Sequence, residues 1–461
     1  MTTQTSSRGL LNTTTPGRAD GETPSNGRAL VVHPSLPGVR RALRAPEACL
    51  AEAAGLARAI DLDVVAQDVV RVDSPKPGTL LAGGALERYA ELVAAEDIGI
   101  AILDTTLSPV QQRNLEQRLE CKVIDRTGLI LEIFGARART KEGQLQVELA
   151  ALSYQRSRLV RSWTHLERQR GGQGFMGGPG ERQIEMDRRM IDDRITRLRA
   201  DLEHVKKTRE THRKNRRRVP YPVVALVGYT NAGKSTLFNR LTTARVIQHD
   251  MLFATLDPTM RRVRLPGGQD AIFSDTVGFI SDLPTQLIAA FRATLEEVLE
   301  ADVIVHVRDA AHPEGAAQRA DVEAVLGELG IAETVERGLI EAHNKIDLLD
   351  EEARAALVEQ TGRHDDDEGT DAVLCSAATG EGCEALLTRI EARLTAAFQD
   401  VRVRLPVSAG KAMAWLYERG HVLDREDGEV AACFRVRLDP ADIARFRERH
   451  GDIAEISEPD S

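Results

Sequence analysis

The chain has 461 residues, and its 71 acidic side chains outnumber its 61 lysines and arginines, which gives a formal net charge of −10 at pH 7. A chain of this length is expected to hold about two to four domains. Its five cysteines are an odd number without metal-like or paired spacing, which argues against a disulfide framework and fits a reducing compartment. The sequence contains neither an apolar run long enough to span a bilayer nor a signal peptide's apolar core. We therefore predict a protein with no membrane span.

The N-terminal part is predicted to be a flexible tail followed by a small domain. Residues 1–28 show no apolar period and carry polar runs beside Pro16-Gly17. Strand-like and helix-like runs then alternate as far as Val123-Ile124, which predicts a parallel α/β domain at 29–135. Gly83-Gly84 lies in a loop before one of these helices. It is interpreted as a turn in preference to a contact with a phosphate backbone.

Residues 136–219 are predicted to form an antiparallel helical hairpin. Apolar side chains recur at three- and four-residue steps along two stretches, one with Leu145 and Leu149 and the other with Ile195 and Leu198. The joining segment contains Gly171, Gly172, Gly174, Phe175, Gly177, Gly178 and Gly180. Its low side-chain bulk suits close approach to a nucleic-acid backbone, and a flexible connector fits the composition equally well.

Basic side chains are concentrated in this hairpin although the whole chain is acidic. One group lies between 156 and 170, and another ends the second helix, where Arg216, Arg217 and Arg218 are consecutive. A charge run is usually a solvated face, but a local excess against an acidic background is typical of a polyanion site. RNA is the favoured partner, because a glycine-rich loop suits irregular RNA better than a duplex groove.

A phosphate-binding loop opens the next predicted domain, at 220–398. After the apolar run 223–227 the chain reads Gly228-Tyr229-Thr230-Asn231-Ala232-Gly233-Lys234-Ser235. A strand, a glycine-bounded loop and a helix start in this order predict a P-loop, in which backbone N–H groups point at phosphate oxygens. Lys234 is expected to neutralise the β and γ phosphates, and Ser235 to offer its hydroxyl to Mg²⁺.

Three further motifs follow in order, each at a predicted strand end. They are Asp275-Thr276-Val277-Gly278, Asn344-Lys345-Ile346-Asp347 and Ser376-Ala377-Ala378. Asp275 can hold the water shell of Mg²⁺, and the Gly278 N–H can meet the γ-phosphate. Asp347 can accept hydrogen bonds from N1–H and the 2-amino group of guanine, both of which adenine lacks. The backbone of the third motif suits guanine O6, so the set predicts GTP and GDP as ligands.

A switch segment is predicted between the P-loop and Asp275. It reads Phe253-Ala254-Thr255-Leu256-Asp257 and continues into Pro258-Thr259. GTP switches need a threonine here that reaches both Mg²⁺ and the γ-phosphate. Thr255 is favoured, Thr259 is the alternative, and a turn cap at Pro258 is a third interpretation. We therefore predict Lys234, Thr255 and Gly278 as catalytic residues and Ser235 and Thr255 as Mg²⁺ ligands.

Two residues set expectations for hydrolysis. Many GTPases carry a water-orienting glutamine directly after the DxxG glycine, whereas this chain has Phe279. Slow intrinsic hydrolysis and stimulation by a partner are therefore expected. The Asn231 side chain has two interpretations, help in holding K⁺ beside the phosphates or an ordinary hydrogen bond within the loop.

The combined motifs resemble those of the HflX family of GTPases. The resemblance rests on Leu107-Ser108-Pro109, on 111–115, on Asp125-Arg126-Thr127, on the glycine-rich segment 171–181 and on the nucleotide motifs. It covers about 29–398 and supports both Thr255 and Phe279 as family features. Two departures are Arg182, where the family usually has threonine, and Ala82-Gly83-Gly84-Ala85, where it has a Gly-Lys-Gly-type turn.

The resemblance implies a P-loop GTPase domain with an N-terminal parallel α/β domain and a helical hairpin. Strand- and helix-like runs at 401–449 add a small C-terminal α/β domain at 399–455, so the predicted fold class is α/β. The resemblance also implies a partner and a role, namely the large ribosomal subunit with its rRNA and the splitting or rescue of stalled or stressed ribosomes. A monomer in the cytoplasm, with a membrane-peripheral fraction as a second location, is expected.

Three other functions are weighed. The first is a GTPase switch that acts on another RNA or on a ribosome-assembly intermediate. A metabolic or signalling GTPase without an RNA partner would leave the basic hairpin unexplained. An RNA-binding protein with a degenerate G domain is disfavoured, because every nucleotide motif is intact.

Overall fold

A computed structural model describes most of the chain. The described residues are 27–36, 44–169, 179–216, 221–242, 253, 259–281, 298–330, 339–364, 371–396 and 398–457. Within them the predicted α/β fold class is confirmed, with a four-stranded, a six-stranded and a second four-stranded sheet in chain order. No helix in this described part is long and apolar enough to cross a membrane.

The N-terminal sheet is entirely parallel and has the strand order β2-β1-β3-β4. Its strands are β1 (Arg28–Ser35), β2 (Asp63–Arg71), β3 (Ile100–Leu103) and β4 (Lys122–Asp125). Its helices are α1 (Pro46–Arg58), α2 (Gly83–Ala95), α3 (Pro109–Leu119) and α4 (Arg126–Arg137). Helix α3 begins where the sequence dictates, because Ser108 and Gln111 form a reciprocal capping box and Pro109 occupies the first turn.

The hairpin consists of α5 (Lys141–Gln169) and α6 (Pro179–Arg216). Leu145, Ile195 and Leu198 are buried, and Arg194 pairs with Glu148 across the two helices. Residues 170–178 lie outside the described residues, and they include all the predicted loop glycines except Gly180. Arg217 and Arg218 also lie outside the described residues. Gly180 lies in the first turn of α6, because the helix begins at Pro179, three residues before the position that follows the predicted loop end at Glu181.

The central sheet has the order β10-β9-β8-β5-β7-β6, and only the β6–β7 pair is antiparallel. Its strands are β5 (Val223–Val227), β6 (Thr259–Arg264), β7 (Asp270–Asp275), β8 (Val303–Asp309), β9 (Ile340–Asn344) and β10 (Asp371–Leu374). The described helices around it are α7 (Lys234–Thr242), α8 (Gly315–Glu328), α9 (Glu351–His364) and α10 (Cys383–Thr395). All four nucleotide motifs follow carboxyl ends of parallel strands, where ligands of open α/β sheets bind.

The C-terminal sheet is antiparallel, with the order β12-β13-β11-β14. Its elements are β11 (Gln399–Pro406), α11 (Gly410–Arg419), β12 (His421–Asp427), β13 (Ala431–Leu438), α12 (Pro440–His450) and β14 (Glu455–Ser457). Alternate residues of β11 and β13 are buried, including Val403 and Phe434, because only one face of the sheet is covered by the two helices.

Candidate nucleotide-binding site

The P-loop requires glycine at both of its ends. Gly228 has φ +151°, and a Cβ there would lie 2.2 Å from the Val307 carbonyl oxygen. Gly233 has φ +92°, and its Cβ would lie 2.2 Å from Asn344 Nδ2. Any side chain at these positions would therefore strain the loop against β8 and β9.

Lys234 lies inside the loop that precedes it. Its ammonium group donates hydrogen bonds to the carbonyl oxygens of Gly228 at 3.0 Å and Tyr229 at 2.8 Å. Burial lowers the pKa of Lys234 to about 8, although the carboxylate of Asp275 acts in the opposite direction. A buried ammonium group held at this position is suited to bind phosphate oxygens, whose negative charge favours its protonated form.

The Ser235 hydroxyl and the Asp275 carboxylate lie side by side. The Ser235 hydroxyl donates to Asp275 Oδ2 over 2.7 Å, and Asp275 is the last residue of β7, fully buried. A hydroxyl and a carboxylate fit Mg²⁺, which keeps several waters and takes few protein ligands. The described residues contain no group of three or more His, Cys, Asp or Glu that could hold a metal ion.

Gly278 lies directly against the P-loop. A Cβ at Gly278 would be 2.9 Å from Thr230 Cα and 3.1 Å from Lys234 Nζ, so only glycine allows this approach. Earlier in the motif, the Thr276 hydroxyl donates to the Leu226 carbonyl oxygen over 2.6 Å, and Val277 is buried. Phe279 directly follows Gly278. Its carbonyl oxygen accepts a hydrogen bond from Thr230 N at 2.7 Å, and its N–H donates to the Gly228 carbonyl oxygen at 3.1 Å. The P-loop and the DxxG segment are thus joined by backbone hydrogen bonds.

The guanine motifs are connected through Asn344. Its Nδ2 donates to the Ala232 carbonyl oxygen, and its Oδ1 accepts from Ala377 N, both over 2.9 Å. Asn344 therefore braces the P-loop against the third motif. Its neighbour Lys345 has φ +66° and an ion pair of 2.7 Å with Asp309.

The carboxylate predicted to read guanine is exposed at the edge of the site. Asp347 Oδ1 accepts from the Ser376 hydroxyl over 2.5 Å, while Ile346 beside it is buried. Ser376 in turn accepts from Thr379 N at 3.1 Å. This arrangement leaves the rest of the Asp347 carboxylate accessible for a base, and Ala378 follows in the same loop.

Arg240 is a residue of this site that the motifs did not indicate. It lies on α7 and donates from Nε to the Ala377 carbonyl oxygen at 3.0 Å and from Nη2 to that of Ala378. The sequence offered only an arginine six residues after Lys234, with no feature that separates it from a solvated charge.

Three aromatic side chains near the nucleotide motifs point towards the N-terminal domain. The Tyr229 hydroxyl donates to Glu52 of α1 over 2.6 Å. The Phe253 ring packs edge-on against Phe134 of α4, with 4.8 Å between ring centroids. Phe279 is 1% exposed in the same core cluster. Any contribution of Tyr229 and Phe253 to GTP binding therefore comes from their backbone.

Only part of the switch segment lies within the described residues. Ala254, Thr255, Leu256 and Asp257 lie outside the described residues, so their predicted roles stay predictions. Thr259 begins β6 and pairs with Asp275 in the β6–β7 register. Asn231 is exposed with φ +61°.

The site combines a P-loop, a DxxG glycine packed on it and guanine motifs held by Asn344, all on a mainly parallel sheet. These features define a GTPase of the P-loop class, a class that uses Mg²⁺. Four family models match consecutive parts of the chain. They are "GTP-binding GTPase N-terminal" at 47–135, "GTP-binding GTPase Middle Region" at 137–216, "50S ribosome-binding GTPase" at 223–345 and "HflX C-terminal domain" at 359–460. The chain belongs to the HflX family of GTPases, which confirms the resemblance drawn from its motifs.

Two curated relatives agree with this assignment. The GTPase HflX of Magnetococcus marinus is 47% identical over 92% of this chain and 96% of its own length. That of Escherichia coli K12 is 44% identical over 81% of this chain and 85% of its own. Among solved structures, a GDP complex of a protein called SsGBP covers 80% of this chain and 99% of its own, with 23% identity and a TM-score of 0.45.

Proposed function

We propose that this GTPase binds the large ribosomal subunit through its rRNA and uses GTP binding and hydrolysis to split or rescue stalled ribosomes. The observation that carries the proposal is the long hairpin attached to the G domain. Helix α6 has 38 residues, which corresponds to about 57 Å, and ends at Arg216, seven residues before β5 begins. We propose that a hairpin of this length presents its glycine-rich segment, which lies outside the described residues, to an RNA partner.

The charge of the hairpin supports an RNA partner. Its basic groups at 156–170 and at Arg216–Arg218 contrast with the net charge of −10 for the whole chain. Some of these side chains are paired within the hairpin, as Arg156 is with Asp192 at 3.1 Å. The proposed RNA contacts are Gly171, Gly172, Gly174, Phe175, Gly177, Gly178, Gly180, Arg216, Arg217 and Arg218.

The proposed hydrolysis depends on positioning by the loops. The Lys234 ammonium group neutralises the β and γ phosphates, and the Gly278 N–H meets the γ-phosphate, with Thr255 as the switch threonine. Bound Mg²⁺, held by Ser235 and Thr255, would neutralise charge on the phosphates. Asn231 is the residue proposed to help hold K⁺ beside them.

Phe279 supports the proposal that the ribosome stimulates hydrolysis. Its side chain is buried in the interface with the N-terminal domain and carries no group that could orient water. The free protein is therefore expected to hydrolyse GTP slowly, because catalysis of this reaction needs an ordered nucleophile. The ribosome is proposed to supply or order the missing group. The protein is proposed to act as a cytoplasmic monomer, with a membrane-peripheral fraction as a second location.

Co-sedimentation with ribosomes tests this proposal. The full chain is centrifuged through sucrose gradients with separated 50S and 30S subunits, with either a non-hydrolysable GTP analogue or GDP. We expect the protein in the 50S fraction with the analogue and much less of it there with GDP. Migration with 30S subunits alone, or with free RNA but neither subunit, would instead support a GTPase that acts on another RNA or on an assembly intermediate.

A further inference from the structure

Two consecutive residues at the start of α4 connect the N-terminal domain to two other parts of the protein. The first, Asp125, faces the hairpin. Its Oδ1 accepts from the Tyr154 hydroxyl of α5 over 2.7 Å, and its Oδ2 lies 3.4 Å from Arg158 Nη1. Asp125 is 1% exposed and also caps α4 by accepting from Gly128 N at 2.8 Å. The hairpin is thus anchored at the first residue before α4.

The second residue, Arg126, faces the G domain. Its Nη1 donates to Asp104 at 2.7 Å, and its Nη2 donates to Glu52 at 2.6 Å and to the Ser281 carbonyl oxygen at 3.0 Å. The side chain is 4% exposed. Burial alone would lower the pKa of Arg126, but the carboxylates of Asp104 and Glu52 raise it above its ordinary value, so the guanidinium remains charged.

Ser281 leads from Arg126 to the nucleotide motifs. It lies three residues after Gly278, and its N–H donates to the Tyr229 hydroxyl at 2.9 Å. Arg44 Nη1 also donates to the Ser281 hydroxyl at 2.9 Å, and Glu52 accepts from Tyr229 at 2.6 Å. Because Tyr229 is the second residue of the P-loop, this buried network holds the P-loop and the DxxG segment together.

Helix α4 also touches the start of the switch segment. The ring of Phe134, two turns along α4 from Arg126, packs against that of Phe253. Phe253 N donates to the Thr230 hydroxyl of the P-loop over 3.0 Å. One short helix therefore contacts both segments that GTPases rearrange around the γ-phosphate.

We propose that Asp125 and Arg126 form a relay between the nucleotide site and the helical hairpin. A displacement of the DxxG segment shifts Ser281, Ser281 shifts the buried Arg126, and the rigid start of α4 carries Asp125 with it. Asp125 then moves the segment of α5 that holds Tyr154 and Arg158. Buried charged groups with several partners each suit this role, because they cannot adapt one contact without disturbing the others.

Hydrogen exchange of the full-length protein tests the relay without ribosomes. The measured quantity is the ratio of amide exchange rates in peptides from residues 141–158 with GDP and with a non-hydrolysable GTP analogue. In the unaltered protein we expect a ratio of about fivefold or more, the lower range of typical coupling between sites. Arg126→Lys retains the charge but loses the forked contacts. Ser281→Ala removes the hydroxyl that accepts a hydrogen bond from Arg126 Nη2 at 3.1 Å, in addition to its contact with Arg44. Both are expected to reduce the ratio towards one.

The chain offers a matched control for these variants. The Tyr89 hydroxyl donates to Asp68 over 2.7 Å beside Arg88, the same trio of residue types as Tyr154, Asp125 and Arg158, but without a link to another domain. Asp68→Asn should leave the ratio unchanged, while the matched change Asp125→Asn, in which asparagine still caps α4, should reduce it. A ratio near one in the unaltered protein would overturn the relay. So would a full ratio retained in Arg126→Lys, Ser281→Ala and Asp125→Asn.

Discussion

Arg240 Nε donates a hydrogen bond to the Ala377 carbonyl oxygen over 3.0 Å, so the helix that starts at the P-loop lysine also holds the guanine loop. The same loop is held from the other side by Asn344, whose Oδ1 accepts from Ala377 N. Phosphate binding and base binding therefore share a single rigid support.

Arg240→Ala should weaken GDP binding by about fivefold or more, because two hydrogen bonds to the loop are lost and each contributes about 0.5–1.5 kcal/mol. Isothermal titration calorimetry provides the measurement. Arg354→Ala is the control, since Arg354 forms only an exposed ion pair with Glu381, which also borders this loop. Equal weakening by the two changes would show that Arg240 has no special role.

Asp347→Asn should shift preference from GTP towards xanthosine triphosphate, because an amide donor matches the 2-keto group of xanthine. Competition binding of the two nucleotides measures the shift. Asp350→Asn is a control three residues away, where Asp350 caps α9 by accepting from Ala353 N and asparagine caps equally well. Tight GTP binding with no gain for the xanthine nucleotide would argue against the guanine assignment.

Ser235→Ala and Thr255→Ala should both reduce Mg²⁺-dependent hydrolysis, because each removes a predicted Mg²⁺ ligand. Thr259→Ala should have much less effect, since Thr259 begins the regular strand β6. Single-turnover hydrolysis at several Mg²⁺ concentrations compares the three. A severe loss in Thr259→Ala with normal activity in Thr255→Ala would transfer the switch role to Thr259.

Glu341→Gln should destabilise the G domain by about 3 kcal/mol at pH 7, because a buried ionic cluster loses its central charge. Glu341 contacts Arg308 at 2.5 Å and Arg319 at 3.1 Å. Burial would raise the pKa of Glu341, but a hydrogen bond with His343 and the charge of Arg308 lower it to about 2. Its stabilisation is therefore complete above the ordinary pKa of 4.5 and is lost as the pH falls towards 2.

Urea unfolding at a series of pH values tests this prediction. The difference between the unaltered protein and Glu341→Gln should be largest at neutral pH and should shrink below pH 4.5. Glu323→Gln, at a half-buried ion pair with Arg319, should cost far less at every pH. A difference for Glu341→Gln that does not change with pH would mean that its charge is not the stabilising feature.

The sequence predicted those structural elements that are determined by residues close together in the chain. The P-loop follows from glycines that nothing else can replace at Gly228 and Gly233, and α3 follows from the capping box of Ser108. Helix α4 was not predicted, because Leu129 to Phe134 are all buried and so show no amphipathic period. The sequence could not indicate that Arg126 meets Ser281, or that Arg240 reaches Ala377, since these contacts depend on how distant segments pack.

The central claim, that the ribosome stimulates this GTPase through the hairpin, is tested by GTPase rate against ribosome concentration at two salt levels. We predict a slow basal rate and a clear increase with ribosomes. Deletion of residues 171–180 should abolish most of that increase while GTP affinity stays nearly unchanged. Neutralising Arg216, Arg217 and Arg218 should weaken ribosome binding and flatten its salt dependence, because fewer counterions are released. An unaltered protein whose rate does not respond to ribosomes at either salt level would contradict the account.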